Sequence, residues 1–245
     1  MFVRRSKTIK AAQNGLLFYC FKVSCVRNFL HVSFFPIFAR FVFQIEHISF
    51  CRIYMVQVYI KGQEDKELSS FLRYYPVRIK NIGMDAFFDR QVIYDFKDGR
   101  NHVDVAKCVA KMLVKKFGRK VRSVVFSCVP ASSQERNEAR NKNFSELVCK
   151  FSGAINGFSH VKVVGERTAV HGTKVKKEER AKRLKEKNNI EVDANFFKNK
   201  IVCIWDDVVT TGTSFCAYTA QLEQVGAHVT NGIFLGKTSY KYVQQ

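Results

Sequence analysis

The sequence predicts an α/β fold, a parallel β-sheet covered by helices, on three observations. Short apolar runs of strand length alternate with amphipathic runs of helix length from about residue 96 onward. Glycine closes the first long helical run at Gly118. One apolar run, Ile201 to Asp206, passes through a hydroxyl-rich turn directly into a further helical run, and such strand and helix succession builds parallel sheets.

In chain order, Met55 to Phe96 reads as short strands and turns, including Val77 to Ile79 and Gln91 to Tyr94, punctuated by Gly62, Pro76 and Gly83. Val103 to Phe117 places Val103, Ala106, Val109, Ala110, Leu113 and Val114 on one face with lysines opposite, which predicts an amphipathic helix. Val121 to Val129 follows as a buried strand, Glu135 to Phe151 as a helix and Val161 to Val164 as a strand. Lys200 to Asp206 is then a strand, Thr213 to Val225 a helix and His228 to Leu235 a strand. The polar, Lys- and Arg-rich stretch between Gly165 and Asn199 is too long for an ordinary connection. It reads either as a solvated loop or as an active-site lid.

A chain of 245 residues is long enough for one core with some additional N-terminal material. The 41 Lys and Arg against 21 Asp and Glu give a net charge of +20, which favours anionic partners without choosing among phosphorylated metabolites, nucleic acid and acidic membrane. None of the eight cysteines forms a Cys-x-x-Cys pair. Cys108, Cys128, Cys149, Cys203 and Cys216 sit in apolar runs and read as reduced, buried core residues of a cytoplasmic protein.

Residues 1–54 differ in kind: rich in Phe, Val and Cys, with Glu46 as the one acid and no sustained periodicity. The apolar stretch Phe29 to Phe50 is broken by His31, Pro36, Arg40, Glu46 and His47, whereas a membrane span needs roughly 20 mostly apolar residues. A secretory leader is disfavoured because Lys22 cuts the apolar run. Two readings stay open: Met55 as the true start, or a peripheral membrane- or partner-binding segment ahead of one domain at 55–245.

The chemistry concentrates in Ile201-Val-Cys-Ile-Trp-Asp-Asp-Val-Val-Thr-Thr-Gly-Thr-Ser214. Unpaired N–H groups at a helix start, with the hydroxyls of Thr210, Thr211, Thr213 and Ser214, can cradle a phosphate. Gly212 permits close backbone approach. Asp206 and Asp207, at the carboxyl end of the strand, can accept hydrogen bonds from neighbouring sugar hydroxyls, so the turn reads as a ribose 5-phosphate site. A Walker-type loop is disfavoured, because Lys237 after Gly236 lacks the earlier glycine.

The string Asp206-Asp-Val-Val-Thr-Thr-Gly-Thr-Ser214 resembles the phosphoribosyl diphosphate motif of type I phosphoribosyltransferases. Within that family the chain is similar to the ComF-like branch, through Phe96-Lys97-Asp98-Gly99-Arg100 and through Val129-Pro130 followed by Arg136, Arg140, Asn143 and Leu147. Arg167-Thr168 and Arg180 fit that branch's basic loop. Lys97 and Arg100 lie in a Gly-containing turn that reads either as a reach to the anionic site or as a solvated hairpin. Asn141, Lys142 and Phe144 depart from its usual Gly, Phe and Gln, and His171 stands where Gln is common. The resemblance implies a type I phosphoribosyltransferase-like parallel β-sheet flanked by helices, with a hood or edge region at 55–96, a core at 97–238 and a long basic loop.

It further implies Mg²⁺-dependent transfer of phosphoribosyl from 5-phosphoribosyl diphosphate to a nitrogen nucleophile, with release of diphosphate. Asp206 and Asp207 would be the catalytic pair. Val209, Thr210, Thr211, Gly212, Thr213 and Ser214 would hold the 5′-phosphate, and Pro130, Ala131 and Ser132 the diphosphate. Arg140, Arg167 and Arg180 would add cations, with Mg²⁺ bound mainly through diphosphate and ribose hydroxyls. The alternative keeps the fold without turnover, for DNA uptake or nucleic-acid handling, with single-stranded DNA along the lysines and arginines from Lys174 to Lys187. A second copy of the chain is another open partner, and membrane is the disfavoured one.

Overall fold

The structure, a computed structural model, describes residues 55–164 and 190–242. Its centre is a six-stranded sheet in the order β1-β2-β8-β7-β3-β4, built from β1 Val56–Gln57, β2 Glu67–Tyr74, β3 Val124–Cys128, β4 Ile155–Asn156, β7 Ile201–Val209 and β8 His228–Thr238. Every pairing is parallel except that of β1 with β2. β5 Val161–Val163 and β6 Ile190–Val192 form a separate antiparallel pair.

Central strands of a parallel sheet are covered on both faces, so they read as continuous apolar runs rather than alternating ones. In β7, Val202, Cys203, Ile204 and Trp205 are all buried, and all five residues of β3 are too. One face is covered by α1 Met84–Lys97, α2 His102–Phe117 and α4 Asn143–Ser152; the other by α6 Thr213–Gln224, whose Phe215, Tyr218, Thr219 and Leu222 recur at helical spacing. On the first face Phe144 is the hub of an aromatic cluster. Its ring centroid lies 4.9 Å from Phe96, 5.0 Å from Trp205, 5.6 Å from His102 and 6.2 Å from Phe126. The His102 Nε2 donates to the Phe96 carbonyl at 3.0 Å, and burial pushes the imidazole below its ordinary pKa. On the second face the buried Ser127 and Tyr218 hydroxyls satisfy each other at 2.6 Å.

Several sequence expectations are corrected. Gln91 to Tyr94 is not a strand but lies inside α1, and Val77 to Ile79 lies in the connection before it. There Arg90 crosses from α1 to the carbonyls of Tyr75, Pro76 and Ile79, fixing an irregular segment whose sequence resembles a strand. Val103 and Val114 are exposed, because the buried stripe of α2 runs through His102, Val105, Ala106, Val109, Met112 and Leu113 and leaves those valines on its flanks. Val121 to Ser123 belongs to a 3₁₀ turn at Gly118–Ser123, so β3 begins only at Val124. Val161–Val163 pairs with β6 rather than joining the main sheet. The region 55–96 supplies the edge strand β1, its neighbour β2 and nearly all of α1. Among the described residues no helix is long and apolar enough to cross a membrane, and Cys108, Cys128, Cys149, Cys203 and Cys216 are free thiols. Only Cys128 and Cys203, on central strands, are buried; Cys108, Cys149 and Cys216 are half-buried, because each lies on a covering helix and not in the sheet.

Candidate functional site

After β3 the chain departs to β4 on one side, whereas β7 takes the place on the other, so the order switches direction between β3 and β7. Open parallel sheets form a crevice at the carboxyl ends of strands flanking such a switch. β3 ends at Cys128, opposite Trp205, and the Val129 N–H closes on the Trp205 carbonyl at 2.8 Å. β7 continues four residues further, paired only with β8, so Asp206 and Asp207 stand beside an unpaired stretch of strand edge. They belong to the strand itself, which reaches Val209 and not only Asp206 as the sequence predicts.

The two carboxyls are held by their own backbone. The Asp207 N–H donates to Asp206 Oδ1 at 2.9 Å, and the Val208 N–H to Asp207 Oδ1 at 2.7 Å. The second oxygen of Asp207 takes two cations, Arg140 Nη1 at 3.2 Å and Lys97 Nζ at 3.8 Å. Asp206 retains some solvent contact, yet the protein packed around its carboxyl, and secondly the adjacent Asp207 carboxylate, push its pKa well above the usual aspartate range. The Asp207 N–H and Arg140 oppose that rise without cancelling it. The site thus sets an acid that resists ionisation beside a carboxylate neutralised by two cations.

Arg140 reaches Asp207 from a π-helical turn, Glu138–Lys142, between the short α3 Gln134–Asn137 and α4. Such turns bring one extra residue into a helix and recur at functional sites. Asn137 and Asn141, both buried, support it: Asn137 Oδ1 accepts from the Ala131 N–H at 3.1 Å and from Asn141 Nδ2 at 2.8 Å, while Asn141 also donates to the Val129 carbonyl at 3.3 Å. This clamp holds the Pro130-to-Ser133 loop at the end of β3. Pro130 is buried, so its contribution is backbone shape, while Ala131 and Ser132 are partly exposed and Ser132 Oγ accepts from Arg136 Nη1 at 3.2 Å.

The hydroxyl-rich turn lies at the end of β7. Gly212 is the N-cap of α6, with φ 83° and no side-chain cap bond. Thr211 and Thr213 bond to each other at 2.9 Å instead of capping the helix, and both are exposed, as is Ser214. Thr210 bonds Thr238 at 2.7 Å, and Lys237 Nζ donates to the Thr210 carbonyl at 2.8 Å. The first N–H groups of α6 therefore face outward with hydroxyls around them and a lysine close behind. The Val209 side chain is buried in the core, so what it offers the turn is its backbone.

Gly212 matters for packing as much as for access. A Cβ there would stand 2.7 to 3.0 Å from three carbons of Ile60, and the positive φ disfavours any side chain. Gly212→Ala is expected to cost about 1–3 kcal/mol and to misplace the start of α6. A denaturant midpoint that falls while the slope is unchanged checks this.

The sequence brings forward Lys97 only as a candidate in a turn; the structure puts it at the last position of α1, on Asp207. Arg100, beside it in sequence, instead pairs with Asp95 and Asp98 and turns away. Lys237, Asn137 and Asn141 have no sequence signal beyond residue type. Tyr74, at the end of β2, sets its hydroxyl 3.5 Å from that of Tyr94, and burial ahead of that contact pushes it up to about 12, so it remains a neutral phenol. Arg167 and Arg180 lie outside the described residues, as does the basic stretch Lys174 to Lys187. The chain matches no family model and no curated protein, so the reading of this site stands on its own geometry.

Proposed function

We propose that the protein is a phosphoribosyltransferase of the type I fold, a pentosyltransferase that uses 5-phosphoribosyl diphosphate and Mg²⁺. The observation that carries the reading is the Asp206–Asp207 pair at a strand-order switch, continued within a few residues by the uncapped, hydroxyl-lined start of α6. That spacing suits a sugar diol and its 5′-phosphate. The α6 N–H groups with Thr211, Thr213 and Ser214 hold the phosphate, and Asp206 and Asp207 accept from the ribose hydroxyls.

Transfer forms a bond from the acceptor nitrogen to the anomeric carbon and breaks that carbon's bond to diphosphate, which departs with the electron pair; the nitrogen loses its proton. Positive charge develops on the ring, and the Asp207 carboxylate stabilises it electrostatically. Arg140 and Lys97 bring positive potential to the leaving-group side, and the loop that the Ala131 N–H pins to Asn137 presents the backbone of Ser132 there. Two adjacent aspartates supply hard oxygen donors that suit Mg²⁺ when phosphates provide most of its ligands. Asp206 and Asp207 would hold the ion together with the ligand's own oxygens, and it would supply positive charge for the diphosphate.

Calorimetric titration with 5-phosphoribosyl diphosphate and Mg²⁺, followed by diphosphate release across a panel of nitrogenous bases, tests the reading. Saturable binding with release on one base is the expected result. Absence of binding by the folded protein overturns it, and binding without release on any base favours the non-catalytic alternative.

A further inference from the structure

We propose that the amino edge of the sheet, opposite the Asp206-to-Ser214 turn, binds the backbone of single-stranded nucleic acid through Arg119, Lys120, Arg122, Lys198 and Lys200, with Phe151 as a base-stacking surface. Strand register places these residues together. β3 and β7 run parallel with Val124 opposite Ile201, so the 3₁₀ turn carrying Arg119, Lys120 and Arg122 ends beside the Lys198–Lys200 entry to β7. Paired strands lie about 5 Å apart. The His228 N–H bonds the Lys200 carbonyl at 2.8 Å, which ties the start of β8 to the same edge. Arg122 Cγ lies 3.7 Å from the position of a Cβ on Gly153, the residue that ends α4, and Phe151 stands two positions before it with 40% of its surface exposed.

All five cations are exposed, and among the described residues none is in an ion pair. The acids towards β2 do not offset them. Lys66 takes Asp65 and Glu223, each at 3.0 Å, and Lys116 takes Glu67. Positive charge is therefore left uncompensated on the β3 and β7 side of this edge, near an aromatic residue left 40% exposed. Cations in a row with an exposed aromatic are what a single strand needs, phosphates on the one and a base on the other.

The test is fluorescence anisotropy of a labelled oligothymidine with the full chain across a salt series. Arg119→Gln, Arg122→Gln and Lys200→Gln combined should weaken binding at least ~10-fold and reduce the log–log salt slope by about 2, since each single-strand phosphate contact contributes ~0.7. Phe151→Ala should weaken binding to the single strand and leave duplex binding unchanged. Affinity for the ribosyl donor should not move in either variant, because the substituted residues lie at the far edge, and the thermal transition should not move in the cation variant, whose residues are exposed. Lys174→Gln, Lys176→Gln and Lys177→Gln combined separates this surface from the basic stretch. The proposal is overturned if the wild-type chain does not bind, if binding depends only on Lys174, Lys176 and Lys177, or if the edge variant loses affinity only for phosphatidylserine vesicles.

Discussion

Asp206→Asn combined with Asp207→Asn is expected to weaken binding of 5-phosphoribosyl diphosphate by roughly 10- to 100-fold, since a hydrogen bond to the charged Asp207 carboxylate is worth about 1.5–3 kcal/mol. The fold should persist, because both side chains stand at the crevice and their backbone remains in β7. Unchanged affinity in the folded double variant would overturn the reading of the turn. The single variant Asp206→Asn adds a prediction of stability. The Asp206 carboxyl is raised above its ordinary value by burial and by Asp207. A group raised in the folded state contributes fully below its unfolded pKa, and that contribution is lost as pH rises through the folded value. At neutral pH the wild type carries the cost of ionising it, or of holding it protonated. The amide removes that dependence, so Asp206→Asn should be more stable than the wild type at neutral pH by about 0.5–2 kcal/mol. Thermal unfolding of both proteins over a pH series checks the sign: their difference should grow as pH rises and shrink in acid.

Phe144→Ala is expected to lower stability by about 3–5 kcal/mol, a fall in Tm on the order of 10 °C for a domain of this size. The ring is fully buried, and it contacts Phe96, His102, Phe126 and Trp205 at once. Those neighbours belong to α1, α2, β3 and β7, so a cavity there loosens several elements that meet beneath the site. Phe96 precedes Lys97, Trp205 precedes Asp206, and Phe144 itself follows the π-helical turn that bears Arg140. Ligand affinity should fall as well as stability, even below the unfolding temperature. A variant that loses stability but keeps full affinity would show that the cations are positioned by their local turns and not by the cluster.

The regular half of the chain was legible because its signals are local. α2 and α6 show a 3.6-residue period, and β3, β7 and β8 are apolar runs bounded by turns, so each is specified within its own span. The turn from Asp206 to Ser214 was legible for the same reason: acids, hydroxyls and Gly212 are contiguous in sequence. α1 was misread at Gln91 to Tyr94 because Val92, Ile93 and Tyr94 are strand-prone residues that helix packing against the core overrides. Register in a parallel sheet is set by partners far away in sequence, and nothing local told Val161–Val163 to pair with Ile190–Val192.

By itself, then, the sequence determined the fold class, the strand and helix that frame the turn, and the residue types able to meet a sugar and a phosphate. Only the tertiary structure decided which cations face Asp207. Lys97, Arg140 and Asp207 are spread over more than a hundred residues, and charge carries no direction along a chain. Their meeting depends on the ends of α1, the π-helical turn and β7 being brought to one sheet edge by the burial of Phe96, Phe144 and Trp205. Such long-range packing leaves no periodic trace in sequence, which is why Arg100 and Lys97 looked equivalent before folding turned one to Asp95 and the other to the site.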